Sequence, residues 1–204
     1  MRSRFLVLDG TEGSGKSTQA RLLHERLSNE GIDSILVRDP GTTRIGEQIR
    51  AILLDPEQAE MSMRCEMLLY MAARAQMMSQ VIAPALAAGR TVVGDRFVSS
   101  TLAYQLGGDG LTADEIRDTA NIAVRGRWPD LTIILDMPPD ASLARVNRAR
   151  DRIEQRPMSY HEQVHRNYLA QVQANHAACR LVSAAGSPEQ VHERVWEAIA
   201  RGSI

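Results

Sequence analysis

The sequence predicts an α/β fold, with a five-stranded parallel sheet flanked by helices in three layers. Three observations predict it. Short apolar runs suited to buried strands alternate with stretches of helical periodicity along the chain. The first such run leads directly into a glycine-rich turn, Gly10-Thr11-Glu12-Gly13-Ser14-Gly15-Lys16-Ser17, that opens a helix. The 204 residues suit one domain, with no internal repeat or linker to mark a second.

Each element has a local reason. Phe5 to Asp9 is an apolar run bounded by glycine, hence a buried strand. Ala20, Leu22, Leu23 and Leu27 give helical spacing over 17–28. Ser34 to Val37 predicts a second strand, broken by Pro40 and Gly41. Ile45, Ile49, Ile52 and Leu53 mark the apolar face of the next helix. A long helical region runs over about 61–88, with a bend expected at Pro84 and a stop at Gly89. Thr91 to Val93 is a third strand, followed by helices near 99–106 and 112–125. Leu131 to Leu135 is a fourth strand, and Pro139 opens a helix. An arginine-rich loop at 148–156 is the expected movable segment. A helix over 158–178, a strand at 180–182 and a last helix over 188–201 complete the order.

Composition excludes several classes of function. Apolar residues make up 44% and charged residues 24%, enough for a core and too apolar for a disordered chain. The net charge of −1 offers no global field for nucleic acid or an anionic membrane. No apolar run reaches the roughly 18 residues of a membrane span. Two distant cysteines, Cys65 and Cys179, suit a reducing compartment, so a cytoplasmic location is expected. Of 24 basic residues, 23 are arginine; the one lysine is Lys16. A position that keeps the only lysine needs a compact point charge rather than a planar fork.

That lysine lies in the glycine-rich turn, which matches G-x-x-x-x-G-K-[ST]. Such a turn aims backbone N–H groups at phosphate oxygens, and the following helix N-terminus adds a favourable dipole. Gly10 to Ser17 are therefore the expected ATP-binding residues, with Lys16 on the β- and γ-phosphates and Ser17 on Mg²⁺. A guanine-reading [NT]-K-x-D element needs a second lysine, which this chain lacks. A small kinase remains. If its acceptor carries a phosphate, Arg38 and Arg96, at the ends of predicted strands, and Arg74, in the long helix, are placed to bind it.

The set LDGTEGSGKSTQ, RDPGTT, LLYMAARAQ, GDRFVSSTLAYQ, PDLTIILDMPP and DRIEQ resembles bacterial thymidylate kinase in order and spacing over nearly the whole chain. The resemblance implies phosphorylation of dTMP by ATP, with Mg²⁺. The alternatives are another nucleoside monophosphate or deoxynucleoside kinase, or a non-catalytic nucleotide-binding module. It also implies roles. Glu12 would hold the 3′-hydroxyl side of dTMP, and Arg74 and Arg96 its phosphate. Tyr70 would stack on thymine, where the family usually has Phe. Thr101 would bond the base, with Ser100 and Gln105 beside it. Asp95 would orient Arg96 or reach Mg²⁺ through water. Asp9 stands where the family more often has Glu. Gly13 replaces a loop arginine, so Arg150 or Arg152 in a short lid over 148–156 would meet transition-state charge. The resemblance also implies a homodimer through the long helices. Asp39, in RDPGTT, is one methylene shorter than the family's usual Glu.

A competing motif, His161-Glu162-Gln163-Val164-His165, matches the zinc pattern H-E-x-x-H. No downstream residue offers a convincing third ligand, and the two histidines are expected on a solvated helix face. The methionines Met61, Met63, Met67, Met71, Met77 and Met78 read as packing residues.

Overall fold

The structure is a computed structural model that describes residues 4–147, 149 and 151–201. Its centre is one sheet of five parallel strands in the order β2-β3-β1-β4-β5. The strands are β1 (Phe5–Gly10), β2 (Ser34–Arg38), β3 (Thr91–Asp95), β4 (Leu131–Asp136) and β5 (Cys179–Ser183). β1 is central, with Leu8 in register with Asp95 on one side and Ile133 on the other. A parallel strand buried on both faces must be apolar throughout, and all six residues of β1 are buried.

Alternation along β1 builds the three layers. Phe5 and Val7 pack into one cluster with Met67, Met71 and Ile116. Leu6 and Leu8 enter the opposite cluster with Leu23, Leu27 and Val195. The first cluster is covered by α3 (Met63–Met77) and α6 (Ala113–Val124), the second by α1 (Lys16–Asn29) and α9 (Pro188–Ala200). A third cluster joins α5 (Val98–Tyr104) to α8 (Met158–Ala174). The remaining helices are α2 (Arg44–Leu54), α4 (Ala83–Ala87) and α7 (Pro139–Leu143). Capping follows local chemistry: the Thr43 side chain accepts from the Gly46 N–H, and Thr112 and Ser187 each form a capping box.

Three expectations are corrected. The long helix departs from regularity before Pro84: a π-helical stretch, Met78–Ile82, links α3 to α4. Proline supplies no N–H for residue 80 and crowds that carbonyl, and the widened turn upstream absorbs the mismatch. The apolar stripe of α2 is not a core face, since Ile45 and Ile52 are 40% and 46% exposed and only Leu53 is fully enclosed. α8 ends at Ala174, four residues earlier than expected.

Candidate active site

All five strands run parallel, so their carboxyl ends meet on one edge, and the loops there form the site. The turn after β1 is shaped by glycine. Gly13 has φ +74°, and a Cβ there would lie 1.9 Å from the Ser142 carbonyl oxygen of α7. The loop backbone is pressed against α7, so any side chain at position 13 would force it to shift. Gly15, at φ +95°, is the residue before α1. The Thr11 carbonyl accepts from Lys16 Nζ at 2.6 Å. Ser14 is buried nearby, and Ser17 is exposed at the mouth, where its Oγ donates to Asp95 Oδ2 at 2.5 Å.

Arg96 follows β3 in the left-handed region, at φ +71°. A non-glycine residue there stores on the order of 1 kcal/mol or more, as functional positions often do. Its backbone N–H donates to Leu8 O at 2.9 Å, which fixes the turn to β1. Its guanidinium donates to Glu12 Oε1 at 2.5 Å and Ser100 Oγ at 3.1 Å. Beneath it lies Asp9, fully buried, accepting from Ser99, Ser100 and Tyr168 hydroxyls at 2.5, 2.7 and 2.7 Å. Tyr104 OH donates to Glu12 at 3.2 Å. Burial pushes the Glu12 carboxyl up, but the charges of Arg96 and Lys16 outweigh it and hold it at about 2. Burial, reinforced by Arg96, brings the Lys16 amine down to about 8 against the pull of Glu12, Asp95 and Asp9. Arg96 is held well above its ordinary value: burial opposes the charge, and Glu12 and other acidic neighbours favour it more.

Two clefts open from this cluster. The larger, about 1180 Å³, is bordered by Gly13, Gly15, Lys16, Ser17 and Asp95, with Arg145 opposite. The other, about 560 Å³, is walled by Tyr70, Arg74, Ser100, Thr101, Tyr104 and Gln105, with Asp151 and Ile153 also lining it. Glu12, Asp39, Arg50 and Arg96 border both. The first cleft has the features of a polyphosphate site. The second combines aromatic and apolar walls from Tyr70, Tyr104, Leu54 and Ile153 with the cations Arg50, Arg74 and Arg96, a set suited to a base attached to a phosphate.

The structure thus gathers Glu12, Tyr70, Arg74, Arg96, Ser100, Thr101 and Gln105 around the second cleft. Arg74 is 1% exposed and fixed by Asp39 Oδ2 at 2.7 Å from Nε and by Phe97 O at 3.1 Å. Arg38 differs from expectation. It borders the first cleft, half exposed, and donates to Glu47 at 2.9 Å. Arg152 also differs. It is buried and donates to Glu66 Oε2 at 2.5 Å and Leu53 O at 3.0 Å, and it lines neither cleft. Its burial follows from the carboxylate on α3, which no local pattern pairs with it. Arg150 lies outside the described residues. Arg50, Arg145, Tyr104 and Glu66 were not singled out from the sequence. Arg50 had a signal: it sits on α2 five residues after Ile45, off that helix's apolar stripe.

The zinc pattern on α8 is resolved differently from either expectation. His161 is 3% exposed, so it is no surface residue, and His165 Nε2 lies 2.7 Å from Asp136 Oδ1. Among the described residues no three His, Cys, Asp or Glu side chains are grouped to hold a metal. Among them no helix is long and apolar enough to cross a membrane. Of the six methionines, Met67, Met71, Met77 and Met78 are core, while Met61 and Met63 are partly exposed.

Comparison with known proteins agrees with this geometry. A thymidylate kinase family model matches residues 8–195. A thymidylate kinase of a Synechococcus species is 45% identical over 195 residues, 96% of this chain and 93% of that protein. That of Desulforapulum autotrophicum is 41% identical over 206 residues, 97% of this chain and 91% of its own. The crystal structure of thymidylate kinase from Ehrlichia chaffeensis superposes with a TM-score of 0.81 at 27% identity, covering 98% of this chain and 100% of that one. Phosphate-binding turn, arginine-lined second cleft, sheet order and sequence agree, and the chain belongs to the thymidylate kinase family.

Proposed function

We propose that this protein transfers the γ-phosphoryl group of ATP to dTMP, giving ADP and dTDP. The observation that carries the reading is the pair of clefts meeting at Arg96, Glu12, Arg50 and Asp39. ATP lies with its phosphates on Gly13 to Ser17, and dTMP fills the second cleft with its phosphate toward Arg74 and Arg96. A phosphate oxygen of dTMP, ionised near neutral pH, attacks the γ-phosphorus. The bond to the β–γ bridging oxygen breaks, and ADP leaves with that electron pair. No general base is needed; positioning and charge compensation do the work. Lys16 neutralises the donor side, and Arg96 lies where donor and acceptor charges converge. Tyr70 covers the base, Thr101 and Gln105 offer it polar groups, and Glu12 faces the sugar.

The oxygens of Ser17 and Asp95, 2.5 Å apart beside Lys16, are hard donors suited to Mg²⁺. Ser17 and Asp95 would hold such an ion, and it would supply neutralisation of phosphate charge. The 148–156 segment serves as the lid, with Arg150 as its charge-bearing arginine. The protein acts in the cytoplasm as a homodimer through the long helices.

The acceptor is tested by ADP release with Mg·ATP and dTMP, dUMP, dCMP, AMP, GMP or thymidine. The expected result is fastest turnover with dTMP. Preference for thymidine would overturn the phosphate-clamp reading, and ATP binding without turnover on any acceptor would favour a non-catalytic module.

Lys16 gives a second prediction. Burial and Arg96 bring its amine down to about 8, so near that pH a fraction of the amines is neutral. Polyphosphate favours the ammonium form, so ATP binding at about pH 8 is expected to take up a fraction of a proton. Calorimetry in buffers of different ionisation enthalpy measures this, and zero uptake would mean that the amine is already charged before binding.

A further inference from the structure

Glu66, on α3, is fully buried and borders neither cleft, yet it joins two parts of the molecule that do. Its Oε1 accepts from Gln105 Nε2 at 2.7 Å, and Gln105 is part of the acceptor wall. Its Oε2 accepts from Arg152 at 2.5 Å and Arg156 at 2.7 Å. Arg152 lies within, and Arg156 two residues after, the short turn in which Asp151 Oδ1 accepts the N–H groups of Ile153 and Glu154 at 3.0 Å each. Asp151 and Ile153 also line the acceptor cleft. Residues 151 and 153 therefore face the cleft while 152 points away from it into Glu66. The fastening continues into α2, where Leu53 O accepts from Arg152 Nε and Leu54 O from the Arg152 N–H, at 3.0 and 3.3 Å.

We propose that Glu66 is a positioning residue that locks the 151–156 segment onto the acceptor cleft and so sets affinity for the acceptor nucleotide. This rests on the reading of that cleft as the dTMP site. A buried carboxylate shared by two guanidiniums is a charge-dependent latch: without its charge, two desolvated cations have no counter-ion and the turn they carry is released. Gln105 shares the same carboxylate, so the base-facing wall and that turn are held in one register. Glu66 acts through Arg152 and Arg156, not on the reacting atoms.

Glu66→Gln tests it, because the amide keeps the shape and an oxygen for Gln105 but loses the charge. The expected result is a rise of about tenfold or more in KM for dTMP, with kcat and KM for ATP within about threefold. A purely structural role would reduce the active fraction, lowering kcat and leaving both KM values unchanged; that result would overturn the proposal. The double variant with Arg152→Met is expected to add little to either single change, and full additivity would also overturn it. Tryptic cleavage after Arg152, at the Arg152–Ile153 bond, followed by mass spectrometry on protein without nucleotide, is expected to be faster in Glu66→Gln. That arm does not depend on the acceptor. Faster cleavage with no dTMP turnover by the unmodified protein would fault the acceptor assignment; unchanged cleavage would fault the latch. If Glu66→Gln does not accumulate folded, Arg156→Met removes one of the two cations, and an unchanged KM for dTMP there would overturn the proposal.

Discussion

Arg96→Ala is expected to lower kcat by about a thousandfold, the scale of losing a preorganised charge at the transferring group. The guanidinium is held by Glu12, Ser100 and the Gly10 carbonyl, and it borders both clefts, so it needs no rearrangement to meet charge developing between them. Arg96→Lys is expected to recover only part of the loss, because a point charge cannot serve Glu12 and a phosphate in one plane. Arg96→Gly should be as inactive as the alanine variant and no less stable on backbone grounds, since glycine accepts φ +71° freely. ADP release with dTMP measures the first two, and urea unfolding the third. An alanine variant within tenfold of the unmodified protein would remove Arg96 from the transfer path. The change should also register at Glu12: without Arg96, the largest charge holding its carboxyl near 2 is gone, and that value rises.

Arg74→Met is expected to cost about 3–5 kcal/mol of stability, the penalty for stripping one member from a buried ion pair. Arg74 and Asp39 are each 1% exposed, and two guanidinium nitrogens converge on the same Asp39 oxygen at 2.6 and 2.7 Å. The other oxygen, Oδ1, is buried with no partner. Burial already raises the Asp39 carboxyl above its ordinary 3.8, with Arg74 as the main opposing influence. The sign follows. A native carboxyl raised above its unfolded value binds the proton more tightly when folded, so its contribution to stability grows as pH falls through that interval. Removing Arg74 widens the interval. The stability gap between the unmodified protein and Arg74→Met should therefore narrow from pH 7 to about pH 5 in urea titrations. Asp39→Asn leaves the buried Arg74 cation, which cannot shed its proton, without a counter-ion, so it should cost at least as much and show a flatter pH profile. A gap independent of pH would mean that Asp39 is not left charged and buried. The same pair places Arg74 in the acceptor cleft, so both variants should raise KM for dTMP.

Much of the architecture was readable from the chain. Strand identities follow from short continuous apolar runs and helix identities from a period of about 3.6, and the glycine-rich turn needs only contiguous residues to announce its chemistry. The boundaries were less legible. The π stretch before Pro84 depends on how a helix relieves a missing N–H, which spacing does not encode. The exposed isoleucines of α2 carried a core pattern without a core, because periodicity reports a face but not what covers it. The buried His161 was misread for the same reason.

The site divides along the same line. By itself the sequence determined the phosphate-binding turn with Lys16 and Ser17, the arginines at 74 and 96, and the resemblance that named Tyr70, Thr101 and Gln105 as acceptor contacts. These all lie in short contiguous motifs of the chain. Only the tertiary structure decided that Arg152 pairs with Glu66, 86 positions away. It also decided that Asp9 takes a hydroxyl from Tyr168, 159 positions away, and that Arg50 stands between the two clefts. The physical reason is that a buried charge selects its partner by proximity and desolvation after the helices have packed, and neither leaves a periodic trace in the chain.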